Sequence, residues 1–336
     1  MQAVILAGGL GTRLRPLTRS RPKALVPLLN RPLILHALDA LPAMVDEVII
    51  AASYMVDALE RFFSGRRESR RITFVEEEEP LGTGGALRNL KETLRGRFLA
   101  LNVDVISSVK LETLVATHEA KGGIGTLALW EVAQPEAYGI VDIDEEGRVH
   151  RFLEKPAPEE VFSHWINAGA YVFEETLLDR IPAGRPVSLE REIFPAVLSE
   201  GIYGQPFEGY WSDAGTLGQY LDATRMLLDR QTGSREAPEV QEGVILPVAI
   251  DPSAQVTGGS VGPYVTIGAD SRVTDAHLSR SALLERVVVE AGAAVVDSLI
   301  GAGATIGRDA LVRECIIGEG ASVGVGSHRV AEQVES

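Results

Sequence analysis

Two textures divide the chain. Up to about Leu228, short apolar runs alternate with stretches whose apolar residues recur at helical spacing. The runs predict strands near 2 to 7, 46 to 51, 71 to 76 and 97 to 103. The helical stretches predict helices near 31 to 41, 55 to 63, 84 to 95 and 109 to 120, with later ones near 190 to 199 and 216 to 229. Such alternation implies an α/β domain built on a mixed, mainly parallel sheet with helices over it. The segment from Gly125 to Leu153 is richer in strand pattern, and the turn Asp144-Glu145-Glu146-Gly147 places a hairpin there.

A polar connector, Asp229 to Glu242, ends this region. Beyond it apolar residues recur every five to six positions: Ile250, Val256, Val261, Ile267, Val273, then Val289, Val295, Ile300, Ile306, Leu311, Ile317 and Val323. Several are followed by glycine, as in Ile267-Gly268, Ile300-Gly301 and Ile317-Gly318. Hexapeptide spacing of this kind predicts a parallel β-helix, in which each coil stacks its aliphatic residues on those of the next. The expected organisation is a first domain over 1–228, a connector over 229–243, a β-helix over 244–328 and a tail over 329–336.

Composition narrows the function. With 336 residues, 45% hydrophobic and 24% charged, the chain is of ordinary globular type and long enough for two domains at roughly 150 residues each. No apolar run approaches the roughly 20 residues of a membrane-spanning helix. The apolar start, Ala3 to Ala7, leads straight into a glycine loop without a basic region before it, so it reads as a strand and not a signal peptide, and a cytoplasmic protein is expected. The single cysteine, Cys315, excludes an intramolecular disulfide and a cysteine-based zinc cluster, and reads as a small buried hydrophobe. A net charge of −15 argues against a nucleic-acid partner. Small anionic substrates need only a few well-placed cations, and the first 25 residues supply them.

The first predicted strand runs into Gly8-Gly9-Leu10-Gly11-Thr12-Arg13-Leu14-Arg15-Pro16-Leu17-Thr18. A glycine loop after a strand lets backbone N–H groups approach phosphate closely. The dinucleotide pattern fits poorly, because Leu14 stands where it wants glycine, and the Gly-Lys-Ser/Thr ending of a P-loop is missing. A plain turn is the alternative, against which Arg13, Arg15 and Lys23 stand close behind the glycines. Asp104 ends the strand pattern Phe98 to Val103, at the carboxyl edge where open α/β sheets bind ligands; read alone, it could as well cap a helix.

Together with Pro22-Lys23-Ala24-Leu25-Val26-Pro27, this opening resembles the nucleotide-binding start of the sugar nucleotidyltransferases. The resemblance continues through Glu78-Glu79-Pro80-Leu81-Gly82-Thr83-Gly84-Gly85-Ala86, Leu101-Asn102-Val103-Asp104, Glu154-Lys155-Pro156, Asn167-Ala168-Gly169 and Trp211-Ser212-Asp213, in family order over residues 1 to 228. The later repeats look like the left-handed β-helix of the hexapeptide-repeat family. The resemblance implies a Rossmann-like nucleotidyltransferase domain and a magnesium-dependent enzyme that joins a nucleotide to a sugar 1-phosphate. It assigns nucleotide binding to Leu6, Ala7, Gly8, Gly9, Gly11, Thr12, Arg13, Gly82 and Thr83, and catalysis to Arg15, Lys23 and Asp104. Sugar-phosphate binding falls to Asn102, Gly139, Glu154, Lys155, Asn167 and Gly169, and the metal to Asp104 and Asp213. Val103 departs from the glycine that many relatives carry there, and its side chain would narrow the site.

The base is read, by the same resemblance, about three residues before Pro80, at Glu77. A carboxylate can accept from both N1–H and the 2-amino group of guanine, whereas thymine and uracil suit an amide. With the block Ser188 to Pro195, this points to the GDP-mannose pyrophosphorylase branch, hence GTP and mannose 1-phosphate. A solvated acidic run is the plain alternative for Glu76 to Glu79, and thymidylyl, adenylyl or uridylyl transfer to glucose 1-phosphate the alternative reaction. A non-catalytic sugar-nucleotide-binding subunit and an acyl-transferring β-helix are further alternatives. The retained Arg15, Lys23, Asp104, Lys155 and Asp213 oppose the first, and the β-helix is expected to serve homo-oligomerisation. A phosphate nucleophile needs no general base, so His36, His118 and His277 are expected to be structural.

Overall fold

The computed structural model describes residues 1–232 and 243–335, which form two compact units. The first comprises Met1–Leu10 and Ile34–Trp211; the second comprises Gly11–Leu33 and the chain from Ser212 onward.

Nine strands make the sheet of the first unit. Its parallel part runs Arg71–Glu76, Glu47–Ala52, Gln2–Leu6, Phe98–Asn102, with Val4 opposite Ile49 on one side and Ala100 on the other. Val48, Ile49, Ile50, Leu99 and Ala100 are wholly or almost wholly buried, as expected for strands covered on both faces. Beyond Phe98–Asn102 the sheet turns antiparallel through Trp165–Phe173, which also pairs with Gly125–Glu131 and Gly139–Ile143. The hairpin is present: Gly139–Ile143 pairs with Val149–Glu154 across a turn in which Asp144 Oδ1 accepts from Arg148 N at 2.8 Å. Helices Val56–Ser64 and Leu111–Lys121 lie within two residues of expectation. Packing centres on Phe98, Tyr171, Phe173 and Phe194, with Tyr171 and Phe173 stacked at 5.2 Å between ring centroids.

Two expectations need correction here, and one strand was not expected. The helix expected over 84 to 95 is Gly82–Asn89, after which Leu90 and Lys91 donate to carbonyls three residues back and the chain tightens into turns. The helix expected over 190 to 199 is broken: Leu189–Ile193 winds as a π-helix, and Pro195, which has no N–H to donate, opens a short α-turn at Phe194–Val197. Trp165–Phe173 is a strand that the hydrophobic pattern did not reveal.

In the second unit, strands Val248–Ile250 onward stack into three parallel sheets of six, five and five strands. Ile267, Leu283, Ile300 and Ile317 occupy one column, each 0% exposed, with 16 or 17 residues per coil. This is a parallel β-helix, consistent with the left-handed form expected. Its ladders continue through His328–Val330 and Gln333–Val334, into the stretch expected as a tail. Cys315 is buried in this core, as read from the sequence. Helix Leu217–Thr232 extends into the expected connector, of which residues 233–242 lie outside the described residues. None of the described helices is long and apolar enough to cross a membrane.

Candidate active site

In the first unit, the glycine loop leaves the carboxyl edge of the central strand. Ala7 N donates to Ala51 O at 2.8 Å, one residue past the strand, and Ser53 Oγ donates to Gly8 O at 2.7 Å. A Cβ on Gly8 would lie 3.1 Å from Glu77 Oε1, so the loop passes directly against that carboxylate.

Of the acidic run, Glu76, Glu78 and Glu79 are exposed and Glu77 alone is turned inward, at 3% exposure. Its Oε2 accepts from Leu81 N at 2.9 Å, while Oε1 is buried and has no hydrogen-bond partner among the described residues. A buried polar atom without a partner costs about 1–3 kcal/mol, more when charged, and so calls for an explanation. Burial pushes the Glu77 carboxyl pKa up, and the Leu81 N–H opposes the rise. A solvated acidic run does not describe Glu77.

The Gly82–Asn89 helix begins against the loop at Val187. Gly82 has φ 72, and a Cβ there would fall 2.6 Å from Val187 O, so glycine is required on both counts. Gly84 N donates to Val187 O at 2.9 Å. Thr83 Oγ1 donates to Glu190 Oε2 at 2.7 Å and accepts from Leu189 N at 2.9 Å. The Thr83 hydroxyl thus ties the turn after Glu77 to the 188–190 segment.

A second constellation surrounds Gly169. The register of Trp165–Phe173 shifts between Asn167 and Tyr171, and Gly169 sits there at φ 75. A Cβ on it would come within 2.9 Å of Asn102 Nδ2. Asn167 Oδ1 accepts from Gly169 N at 3.2 Å, and its Nδ2 donates to the Tyr171 hydroxyl at 2.9 Å. Trp211 Nε1 donates to Ala168 O at 2.9 Å, and its ring meets that of Tyr138 edge-on at 5.3 Å. Asn102 from one motif is therefore brought to Asn167 and Gly169 of another. Glu154 lies opposite Gly139 in the hairpin, and a Cβ on Gly139 would be 2.8 Å from Glu154 Oε2. Lys155 is exposed, at φ 53, with Nζ 3.8 Å from Glu154 Oε1.

Glu190 belongs to the block Ser188 to Pro195, whose pattern assigns it no separate role. It binds Thr83 and Ser188, both at 2.7 Å, and its charge adds to burial in raising the Glu154 pKa, against Lys155 and Arg191. Its place in a family-like block was legible; its coupling to Glu154 across the fold was not. Asp104 is half-buried just past the end of Phe98–Asn102. Val103 is 5% exposed, so its side chain is largely packed away from solvent, and its N–H donates to Leu6 O at 3.2 Å.

Within the second unit, Gly11, Thr12, Arg13, Arg15 and Lys23 lie on a segment of short turns. Thr18 Oγ1 closes it by donating to Gly11 O at 2.8 Å. Arg13 reaches Gly215, where a Cβ would be 2.6 Å from Nη2, and Gln219 Nε2 donates to Asp213 Oδ1 at 2.6 Å. Lys23 is 8% exposed. His118 is buried between Thr126 and Glu174, with burial lowering its pKa, which fits a structural histidine.

Comparison with known proteins places these features in a family. Residues 2–230 match the nucleotidyl transferase family model and residues 244–332 the GMPPB C-terminal domain. The chain is 38% identical over 94% of its length to a probable mannose-1-phosphate guanylyltransferase 2 of Arabidopsis thaliana, of which it covers 90%. It is 40% identical over 88% of its length to the mannose-1-phosphate guanylyltransferase of Mycobacterium tuberculosis, covering 83% of that protein. Among solved structures, HddC from Yersinia pseudotuberculosis complexed with GMP-PN aligns with a TM-score of 0.57 at 25% identity, over 67% of this chain and 99% of that one.

Proposed function

The chain belongs to the nucleotidyl transferase family, and we propose that it forms GDP-mannose and pyrophosphate from GTP and mannose 1-phosphate. The observation that carries the guanine assignment is Glu77: a buried carboxylate beside the glycine loop, with one oxygen held by Leu81 N and the other open to a donor. The relatives named as mannose-1-phosphate guanylyltransferases support the same pair.

In this reading an oxygen of the sugar 1-phosphate attacks the α-phosphorus in line, and pyrophosphate leaves. One phosphoanhydride replaces another, so the reaction is reversible. Gly8 and Gly9 offer backbone to the nucleotide, and Glu77 accepts from the guanine edge. Glu154 and the Asn102, Asn167 and Gly169 group bind sugar hydroxyls, and Lys155, exposed, takes the sugar phosphate. Arg15 and Lys23 neutralise the phosphates of the triphosphate, so that catalysis rests on positioning and charge. Magnesium is the cofactor of the proposal, assigned to Asp104 and Asp213. Their donors fit it, since both are hard carboxylate oxygens and magnesium takes few of these, completing its shell with water and phosphate. When bound, the ion neutralises substrate oxygens.

The test is pyrophosphate release over a grid of nucleoside triphosphates and hexose 1-phosphates with magnesium, with Asp104→Ala as control. A maximum with GTP and mannose 1-phosphate, lost in the variant, is expected. A maximum with another pair overturns the substrate assignment, and turnover undiminished in Asp104→Ala overturns that residue's role.

A further inference from the structure

The segment Gly11–Leu33 carries Arg13, Arg15 and Lys23, yet its regular structure within residues 12–25 is three isolated turns, Thr12–Leu14, Leu17–Ser20 and Lys23–Leu25. Single turns of this length do not hold themselves in water. Besides Thr18 closing on Gly11 and Arg13 reaching Gly215, contacts along one corner of the β-helix, in the same unit, help to hold them. Arg21 Nη2 donates to Glu285 at 2.5 Å and its Nε to Glu319 at 2.7 Å. Asn30 Nδ2 donates to Ile267 O at 2.9 Å, Pro16 lies 3.2 Å from where a Cβ on Gly318 would stand, and Arg19 pairs with Glu335. From Ile267 to Glu335 these contacts span the stack of coils.

The Arg21 contact is a built socket. Leu283, Ile300 and Ile317 pair in one column, and two residues beyond each stand Glu285, Ala302 and Glu319. The carboxylates therefore sit two coils apart, about 10 Å at the usual strand spacing. Between them the chain has a buried alanine, so the guanidinium can bridge both. Arg21, Glu285 and Glu319 are 18%, 24% and 23% exposed, far less than a solvated ion pair such as Arg19 with Glu335 at 54% and 58%.

We propose that Arg21, Glu285 and Glu319 are positioning residues for the triphosphate: the β-helix corner clamps the basic segment so that Arg15 and Lys23 are presented in one arrangement. The β-helix then acts in turnover as well as in whatever assembly it supports. The inference rests on the phosphate roles proposed above for Arg15 and Lys23.

The experiment compares wild type with Arg21→Met, Arg21→Lys and the double variant Glu285→Gln with Glu319→Gln, using whichever triphosphate the wild type turns over best. KM for the triphosphate is expected to rise about tenfold to a hundredfold in Arg21→Met, as for a small displacement of a binding group. KM for the sugar phosphate stays near the wild-type value. Arg21→Lys falls between, since an ammonium reaches one carboxylate and not both. Hydrogen exchange of residues 11–33 rises in Arg21→Met while the Gln2–Leu6 strand is unchanged. Faster exchange, or a lower Tm, with an unchanged triphosphate KM overturns the proposal and leaves the clamp a matter of stability alone. Equal rises in both KM values also overturn it. If Arg21→Met does not fold, the single variants Glu285→Gln and Glu319→Gln decide on the same criteria. A preference for a triphosphate other than GTP would overturn the guanine assignment without touching this result, and exchange in 11–33 that does not change in any variant would overturn the clamp whatever the substrate.

Discussion

Glu77→Gln isolates the base-reading group. The substitution keeps size and shape, and the amide oxygen can still accept from Leu81 N as Glu77 Oε2 does at 2.9 Å. That choice turns the amide NH2 to where Oε1 now faces Gly8, a donor in place of an acceptor. Guanine presents N1–H and a 2-amino group on its pairing edge, so donor meets donor. A hydrogen bond to a charged acceptor contributes about 1.5–3 kcal/mol, and the opposed donors forfeit that interaction. The kcat/KM for GTP should fall by roughly ten- to a hundredfold, at about 1.4 kcal/mol per decade. The same amide can donate to N1 of adenine, so the ratio of ATP to GTP turnover should rise. Because the variant removes a buried carboxylate, its Tm should equal or exceed that of the wild type, which separates the effect from unfolding. Pyrophosphate release with each triphosphate at saturating sugar phosphate is the assay. A folded variant whose GTP kcat/KM stays within about threefold of wild type would refute the reasoning, since that lies below the weakest charged hydrogen bond expected.

Burial raises the Glu77 pKa, and the guanine contact requires the charged form, so GTP affinity should fall as pH drops through that raised value, at a higher pH than an ordinary carboxylate would show; calorimetric titration at a series of pH values in buffers of different ionisation enthalpy should show proton release on binding that grows as the pH is lowered. Gly169→Val places a branched side chain at φ 75, where even the Cβ meets Asn102 Nδ2 at 2.9 Å, and should raise KM for the sugar phosphate by about tenfold or more with the triphosphate KM little changed, as steady-state kinetics would show. Ile300→Ala empties one position of the β-helix column and should cost about 2–5 kcal/mol, read as a lower midpoint in denaturant with an unchanged slope.

How much was legible in the chain depended on whether a residue served the core or the chemistry. Strands such as Glu47–Ala52 and Phe98–Asn102 announced themselves because both faces are buried and the run is continuously apolar. Trp165–Phe173 did not, because Asn167 and Gly169 interrupt its apolar run, and these are residues proposed to bind the sugar. The β-helix was legible from its aliphatic period, down to the buried Cys315, but its last coil was not, since Val330 is exposed at the end of the stack. Glu77 shows the limit most clearly. Polarity alone does not tell four consecutive glutamates apart, and Glu77 was singled out only by the resemblance, from its distance to Pro80; the contact with Leu81 N and the closeness of Gly8 show how it is turned inward.

The clamp on the basic segment also makes an asymmetric prediction, because its charges are not interchangeable. The protein carries a net charge of −15, and two carboxylates of the β-helix lie against a segment whose proposed task is to hold phosphate. Arg21 neutralises both, and Arg286 adds to this at Glu285, 3.8 Å away. Removing one partner of a partly buried pair leaves the other uncompensated, which costs more than the pair itself contributes. Arg21→Met leaves Glu319 without this partner and Glu285 with only Arg286 Nη2, at 3.8 Å, and the field of the two carboxylates opposes a triphosphate. The Glu285→Gln and Glu319→Gln double variant leaves an unpaired guanidinium, whose field favours one. Both loosen the segment, so both should raise the triphosphate KM, but Arg21→Met should do so by several-fold more. The difference should shrink as ionic strength rises, though less than it would for solvated charges, since partly buried groups are screened only in part. Equal KM values for the two variants at low salt would show that tethering matters and the charge of the socket does not.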